Sequence, residues 1–205
     1  MLNIKFNNLK INLIKTMRNL KTIAIALVVA LTTLTAAAQD KKINTSKSNI
    51  KWVGKKVTGE HSGTINFKDG VLNFKKDKLT GGSFTVDMNS ITVTDLKGEA
   101  KTNLEGHLKA ADFFGTDKHA TSKLVFKSVK ATKTADVYAV TADLTIKNIT
   151  KPVTFDLTVN KNSATSTFKV DRTKYGIEYN SGSIFDGLGD KAIYDDFDLS
   201  VNLVF

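Results

Sequence analysis

The sequence predicts an all-β protein whose mainly antiparallel sheet closes into a barrel of about eight strands. Apolar and polar residues alternate with period two through nearly the whole second half of the chain, which is typical of strands with one dry and one wet face. The run from Asp143 to Val159 shows this alternation twice, around a single lysine–proline break. So many strands joined by short loops leave two bare edges unless the sheet closes, and closure removes both.

The first 38 residues are predicted to lie outside this barrel. From Met17 the chain has a basic start, a short apolar stretch at residues 23–31 and a small-residue exit that ends at Ala38. This order is typical of a secretory signal peptide, so we expect cleavage near Ala38 and a periplasmic or secreted protein. Residues 1–16 are interpreted as an extension upstream of the true start.

Composition narrows the class of protein further. A chain of 205 residues with 41% hydrophobic content allows one domain with a real core. The absence of cysteine excludes a disulfide framework and a thiolate nucleophile. The formal net charge is +10, and residues 39–205 contain 25 basic and 20 acidic residues spread over turns and wet strand faces. This spread argues against a nucleic-acid partner and allows only a transient, salt-sensitive contact with an anionic membrane surface.

The elements follow in order along the rest of the chain. Residues 39–48 are polar and are predicted to form a flexible leader, and residues 49–205 form the barrel domain. The first strand signals are at 49–57, at 63–67 and 71–74 as a hairpin across Asp69–Gly70, and at 83–89. The four-residue spacing of Ala100, Leu104 and Leu108 predicts a short helix over 97–108. The later strands are predicted at 121–129, 137–147, 153–160, 164–172 and 193–205.

The predicted barrel interior supplies the candidate site. Its inward positions mix large and small side chains, which suits either a tunnel for one slender ligand or a solid core, and the pattern leaves both open. Phe113 and Phe114 fall in a compact loop and are expected to plug or line a cavity mouth. The candidate ligand-binding residues are Phe84, Val86, Met88, Phe113, Phe114, Phe126, Ala142, Leu144, Phe155, Leu157, Phe168, His107 and Arg172.

Two charged or titratable residues in this set have alternative roles. Arg172 shares the inward parity of Phe168 and Val170, and a buried arginine is costly unless it is paired. It either closes the barrel end against a carboxylate or carbonyl groups, or it contacts the head group of a ligand. His107 either packs at the end of the helix or contacts the ligand.

Catalytic machinery is not evident in the sequence. The three histidines, at 61, 107 and 119, have no metal-binding spacing, although a site assembled from distant strands is left open. The Ser181–Gly182–Ser183 stretch lacks a strand-to-helix elbow, and Asp195 and Asp196 point to opposite faces of a strand. We therefore expect no enzyme, no metal and no cofactor.

Six blocks of sequence, in order and spacing, resemble the YceI family of polyisoprenoid-binding proteins. The blocks are GEHSGTINFKDG (59–70), FTVDMNSI (84–91), HLKAADFF (107–114), DLTIKNITKPVTF (143–155), DRTKYGI (171–177) and DGLGDKAIYDDFDLSV (186–201). The resemblance implies a lipocalin-like barrel that holds an isoprenoid chain, usually in an exported bacterial protein, and it implies homodimers. The chain departs from the family at His119–Thr121, where a proline is common, and at Asn148, where a glycine is common.

The expected function is therefore to hold a polyisoprenoid-type lipid, a quinone or polyprenyl chain, for carriage or storage. The lipid is a bound ligand and not a cofactor. Two alternatives stay open: a stress-related structural or interaction protein with a filled barrel or an opportunistic fatty-amide ligand, and, with less support, a hydrolase or metal-dependent enzyme.

Overall fold

The computed structural model describes residues 38–205 and contains a closed antiparallel β-barrel of eight strands, as predicted. The predicted signal segment and its extension lie, up to residue 37, outside the described residues. The elements are β1 Ala38–Lys42, β2 Asn49–Lys56, β3 Gly59–Lys75, β4 Lys78–Val93, α1 Gly98–Lys109, β5 Thr121–Ala131, β6 Val137–Ile146, β7 Ile149–Val159, β8 Ser163–Asp171 and β9 Ile193–Val204, with 3₁₀ turns at Arg172–Tyr175 and Gly189–Lys191.

The barrel closes through the two longest strands. Around the barrel the order is β3, β2, β9, β8, β7, β6, β5 and β4, and β4 pairs again with β3. The long strand β3 pairs with β2 over its first half and with β1 over its last five residues, so β1 extends the same edge that β2 occupies. Closure satisfies the backbone groups that an open sheet would expose.

Period-two alternation places the core where the sequence predicts it. Along β6, Val140, Ala142, Leu144 and Ile146 are buried, while the residues between them are more exposed. The same rule holds at Leu157 on β7. Each inward set faces the barrel axis, so the interior is built almost wholly from aliphatic and phenylalanine side chains.

The hairpin predicted at Asp69–Gly70 does not form. Strand β3 runs through these residues, with a register shift against β4 between Phe67 and Asp69. Gly70 permits close approach instead of a turn, because a Cβ atom there would lie 2.5 Å from the Phe84 ring. The turn comes at Lys76–Asp77, where both residues have positive φ (50° and 60°) without being glycine.

Residues 39–48, predicted to form a flexible leader, are ordered by the barrel. Residues 38–42 form β1, and Ile43 is buried in the core. The Ser48 hydroxyl accepts a hydrogen bond from the backbone N–H of Val204. The segment has a polar composition because the outward-facing residues of β1 are in contact with water, and this composition led to the prediction of a leader.

Helix α1 lies within one residue of its predicted start and end. The β6–β7 hairpin forms at Lys147–Asn148, and Asn148 adopts positive φ (61°), as expected from its tolerance of the left-handed region.

The seam between β7 and β8 is the least paired part of the barrel wall. The two strands share the pairs Thr158–Thr165 and Val159–Ala164. Beyond them the Ser166 hydroxyl donates a 2.7 Å hydrogen bond to the carbonyl of Asp156, which replaces a backbone bond. The chain's single proline, Pro152, lies in the part of β7 that pairs with β6 but not with β8, where a missing N–H costs least.

Candidate functional site

An apolar cavity of about 120 Å³ lies inside the barrel, and we call it the barrel cavity. Its lining comes from β2 to β9 and is apolar apart from Ser122 and Ser166. Both hydroxyl groups donate to backbone carbonyls, so neither hydrogen is free. Eight of the predicted ligand-binding residues line it: Phe84, Val86, Met88, Phe126, Leu144, Phe155, Leu157 and Phe168.

Phenylalanine rings form a belt around this cavity. Ring centroids are separated by 6.0 Å for Phe67–Phe84, 5.8 Å for Phe84–Phe126 and 6.0 Å for Phe126–Phe155. Phe155 then stacks on Phe168 at 4.7 Å. Large planar side chains with few rotamers give the cavity a fixed, wholly apolar wall.

A second cavity, the mouth cavity, continues toward the end of the barrel that bears α1. It measures about 110 Å³ and is lined by Trp52, Phe113, Phe114 and Arg172, among others. It shares Ile65 and Met88 with the barrel cavity, so these two side chains stand between the cavities. The phenylalanines that were expected near a cavity mouth therefore border this space.

A third cavity of about 90 Å³, the helix cavity, lies between α1 and strands β2 and β3. His107 and Leu104 line it from α1, and Lys56 and His61 line it from the barrel. It shares Trp52, Leu108 and Phe113 with the mouth cavity. The three spaces therefore adjoin in series from the barrel interior to the underside of α1.

Ala142 is the one residue of the predicted set that borders none of these three cavities. It is fully buried, and its cross-strand neighbours are Phe126 on β5 and Val153 on β7. A larger side chain there would collide with the barrel wall and would not narrow a tunnel. The inward parity was right, but parity alone does not distinguish packed from open positions.

Arg172 closes the barrel end against backbone carbonyls. Its Nη1 donates to Ile177 at 2.8 Å, its Nη2 to Ile193 at 3.0 Å and its Nε to Tyr194 at 3.1 Å, with 2% of the residue exposed. Burial lowers the pKa of the guanidinium, and nearby Asp195 opposes that shift. The geometry therefore matches the structural role among the two that the sequence left open.

His107 packs among aromatic rings at the end of α1. Its ring lies 4.5 Å from that of Tyr179 and 5.4 Å from that of Phe113. These contacts match the packing role, and the residue also borders the helix cavity. His61 instead pairs with Asp95 at 2.8 Å, which ties β3 to the segment that leads into α1.

Glu105 anchors α1 to the end of β4. Its Oε1 accepts hydrogen bonds from the Thr92 hydroxyl at 2.6 Å and from the Val93 N–H at 2.8 Å. These bonds hold the pKa of the Glu105 carboxyl below its ordinary value of 4.5. Because Val93 is fully buried, its N–H depends on this carboxylate.

We expect Glu105→Ala to lower the free energy of unfolding by about 2 kcal/mol at about pH 7, because it leaves a buried N–H unpaired. The pKa of Glu105 is lower in the folded state than in the unfolded state. The carboxylate therefore stabilises the fold fully above its unfolded-state pKa, and this stabilisation is lost as the pH falls through its folded-state pKa. The difference from wild type should therefore shrink below pH 4.5. Urea titrations at each pH measure this difference in the free energy of unfolding, and Glu99→Ala, at an exposed position of α1, is the control. Equal losses of stability in the two variants would contradict the anchoring role of Glu105.

Trp52 is one of the site residues that the sequence analysis missed. Its indole borders the mouth and helix cavities, and its N–H has no hydrogen-bond partner among the described residues. Gly63 lies directly beneath the ring, where a Cβ would meet it at 2.5 Å. Its inward parity with Ile50 on β2 was available as a signal. The same parity identifies other missed lining residues: Ile50, Ile65, Phe67, Leu124, Ile146, Leu199, Val201 and Leu203.

Residues 38–205 contain no cluster of three or more histidine, aspartate or glutamate side chains placed to hold a metal ion. Within the same residues, no helix has the length and apolar character needed to cross a membrane.

Comparisons with known proteins agree with this architecture. The family model of the YceI-like domain matches residues 42–205. A "UPF0312 protein" of Pseudomonas putida is 36% identical over 100 residues, which cover 48% of each chain. A "UPF0312 protein" of Staphylococcus aureus is 41% identical over 95 residues, covering 41% of this chain and 50% of that one. The matched segments thus span about half the length of these curated relatives.

Solved structures share the fold at low identity. BcnA of Burkholderia cenocepacia superposes with a TM-score of 0.65 at 19% identity, over 80% of this chain and 99% of that one. A polyisoprenoid binding domain from Saccharophagus degradans superposes with a TM-score of 0.55 at 11% identity, over 82% and 97%. Because the family model spans the whole barrel domain, this chain belongs to the YceI family.

Proposed function

We propose that the barrel binds a polyisoprenoid-type lipid, such as a quinone or polyprenyl chain, and carries or stores it without transforming it. The observation that supports this most directly is the barrel cavity, a hydrocarbon-lined space at the axis of a closed barrel. Its lining offers no free polar hydrogen, so an apolar chain suits it best. The polyisoprenoid binding domain from Saccharophagus degradans has the same fold.

Cavity size sets how much of a chain fits without rearrangement. An apolar cavity of about 150 Å³ accommodates benzene, with its six carbons. The barrel cavity, at about 120 Å³, therefore takes roughly one five-carbon isoprene unit, and the mouth and helix cavities take comparable pieces. A longer chain must displace the side chains of Ile65 and Met88 to pass from one cavity to the next.

The single tryptophan of the chain makes the proposal testable. Because Trp52 borders two of the three cavities, a lipid that fills these two cavities changes the environment of the only indole. Titration with farnesol, and with a quinone that carries the same tail, should change Trp52 emission saturably, and the quinone should quench it more strongly. Absence of any saturable change, together with no mass increase in native mass spectrometry, would overturn the proposal.

One observation favours the alternative of a filled barrel: the side chains of Ile65 and Met88 separate the barrel cavity from the mouth cavity. Methionine is flexible and unbranched, so Met88 is suited to move aside. We expect Met88→Ala to join the barrel and mouth cavities and to raise the ratio of the affinities for farnesol and geraniol by about tenfold. This corresponds to the burial of about two further carbons of farnesol at about 0.8 kcal/mol each. Competition titrations measure this ratio. An unchanged ratio in Met88→Ala would favour the filled barrel.

We further propose that the protein is exported and works in the periplasm or outside the cell. Support comes from the order of basic, apolar and small residues between Met17 and Ala38. Intact-mass analysis of the protein recovered from its host tests this: a mature start near Gln39 is expected. Recovery of residues 17–38 on the bulk of the protein would contradict export.

A further inference from the structure

Exposed apolar side chains are concentrated at one end of the barrel. This helix end comprises the turn at 57–58, the connection 94–120 that contains α1, the turn at 147–148 and the connection 172–192. Seven large hydrophobic residues are more than a third exposed among residues 38–205, and all but Val125 lie at this end or at its border: Val57 (52%), Ile149 (37%), Tyr179 (40%), Ile184 (44%), Phe185 (47%) and Tyr194 (54%).

Five of these residues belong to one hydrogen-bonded region, which we call the apolar rim: Val57, Tyr179, Ile184, Phe185 and Tyr194. The backbone N–H groups of Ile184 and Phe185 both donate to the carbonyl of Ser181. Ser181 is bridged to Ile193, the neighbour of Tyr194. The N–H of Val57 donates to the carbonyl of Ala192, which brings the β2–β3 turn into the same region.

The apolar rim is held rigidly in its exposed position. The Ser181 and Ser183 hydroxyls both donate to the carboxylate of Asp195, and the fully buried Ser181 fixes the start of the turn that presents Ile184 and Phe185. Exposed leucine-sized and aromatic side chains are ordinary when scattered, but Ile184 and Phe185 are neighbours on one fixed turn, and adjacent exposed apolar side chains of this kind indicate an interaction site.

The rim is continuous with the cavities. Tyr194 borders the mouth cavity, and its neighbour Ile193 borders both the mouth and helix cavities. On the other side, the Tyr179 ring contacts His107, which lines the helix cavity. A lipid that leaves the cavities here would meet the apolar rim before it met water.

The net charge of the helix end indicates which kind of membrane surface, zwitterionic or anionic, it would contact. The turns and connections that form the helix end contain eight lysine and arginine residues and eight aspartate and glutamate residues, so their net charge is zero. A zwitterionic lipid surface matches a balanced, apolar end, whereas an anionic one is bound through clustered lysines. Exposed tyrosine and phenylalanine are also the residues that favour the lipid–water interface.

We propose that the apolar rim docks the helix end onto a zwitterionic lipid surface by inserting Ile184 and Phe185, and that lipid passes there between the bilayer and the cavities. The passage of lipid rests on the function proposed above, whereas the docking does not. Docking of this kind depends on buried apolar area and therefore changes little with salt.

The test is flotation of the full-length mature protein with phosphatidylcholine vesicles. We expect binding that changes by less than about twofold between roughly 0.1 M and 0.5 M NaCl. Ile184→Ser and Phe185→Ser should each weaken it by about tenfold, as expected for removal of a half-buried side chain from lipid. Val125→Ser is the matched control, since Val125 is equally exposed (45%) but lies in the middle of β5, and it should bind as wild type does.

Other outcomes overturn the docking. Binding only to anionic vesicles, or equal binding by all variants, would show that the rim is not the contact. If wild type forms a dimer that the same substitutions dissociate, and vesicles bind neither form, the rim is an interface between two copies. The Trp52 titration with farnesol separates the two proposals: uptake without vesicle binding contradicts docking alone, and vesicle binding without uptake contradicts the proposed function alone.

Discussion

Arg172→Met is expected to lower the free energy of unfolding by about 3–5 kcal/mol, because it removes three hydrogen bonds that a charged, buried group donates to backbone carbonyls. The substitution leaves the carbonyls of Ile177, Ile193 and Tyr194 unpaired inside the barrel end. Each unpaired buried group costs about 1–3 kcal/mol, and the apolar methionine recovers part of this by packing on Phe113. Guanidinium titration measures the change.

Lys169→Met is the matched control for this prediction. Lys169 lies on β8, three residues before Arg172, but its side chain is 65% exposed and its nearest carboxylate, Asp198, is 3.9 Å away. A surface pair of this kind contributes little, so we expect a change below about 1 kcal/mol. If Arg172→Met is as mild as Lys169→Met, Arg172 does not close the barrel end, and its role as a ligand contact would have to be reconsidered.

The sequence was sufficient for the features that depend on repetition. A strand that buries every second residue shows this alternation, so the closure of the barrel and the strands from Val137 onward were predicted, except for the start of β7. Strand β7 begins at Ile149 and not at 153, because it runs through Pro152 without the expected break. The four-residue spacing at Leu104 and Leu108 likewise located α1, although only Leu108 is fully buried.

Features that depend on a single contact were not predictable. The Asp69–Gly70 pair has the composition of a turn, but Gly70 is required by the Phe84 ring across the sheet, a partner that local sequence does not reveal. The true turn at Lys76–Asp77 uses residues that adopt positive φ without a glycine signal. Parity placed Ala142 and Leu144 on the same face, yet only Leu144 borders the cavity. Open volume arises from how neighbouring strands pack, which one strand's pattern does not contain.

Val201→Phe is expected to abolish most lipid binding while it leaves the barrel as stable as wild type or more stable. Val201 on β9 borders the barrel cavity between Ile50 on β2 and Ser166 on β8, which also line it. Phenylalanine has seven side-chain carbons and valine three, so the substitution adds four carbons to a cavity that takes roughly five. Filling apolar empty space stabilises a protein by up to about 24 cal/mol per Å³, or at most about 3 kcal/mol here, before strain is subtracted.

The same ring removes the space for roughly one isoprene unit, whose burial is worth about 3–4 kcal/mol at about 0.8 kcal/mol per carbon. Affinity for farnesol should therefore fall by at least about a hundredfold. Val125→Phe makes the same change on the outer face of β5 and should alter neither property much. The Trp52 titration and thermal unfolding measure the two effects on one sample.

The opposite signs of the two effects make Val201→Phe decisive for the lipid-binding proposal. A substitution that merely damages the fold lowers stability and binding together, as a bulky residue at the packed Ala142 position would. Higher or equal stability with lost binding can arise only if the lipid occupies the volume that the ring fills. If Val201→Phe binds farnesol as wild type does, farnesol does not occupy the barrel cavity. The cavity would then be a packing defect in a filled barrel.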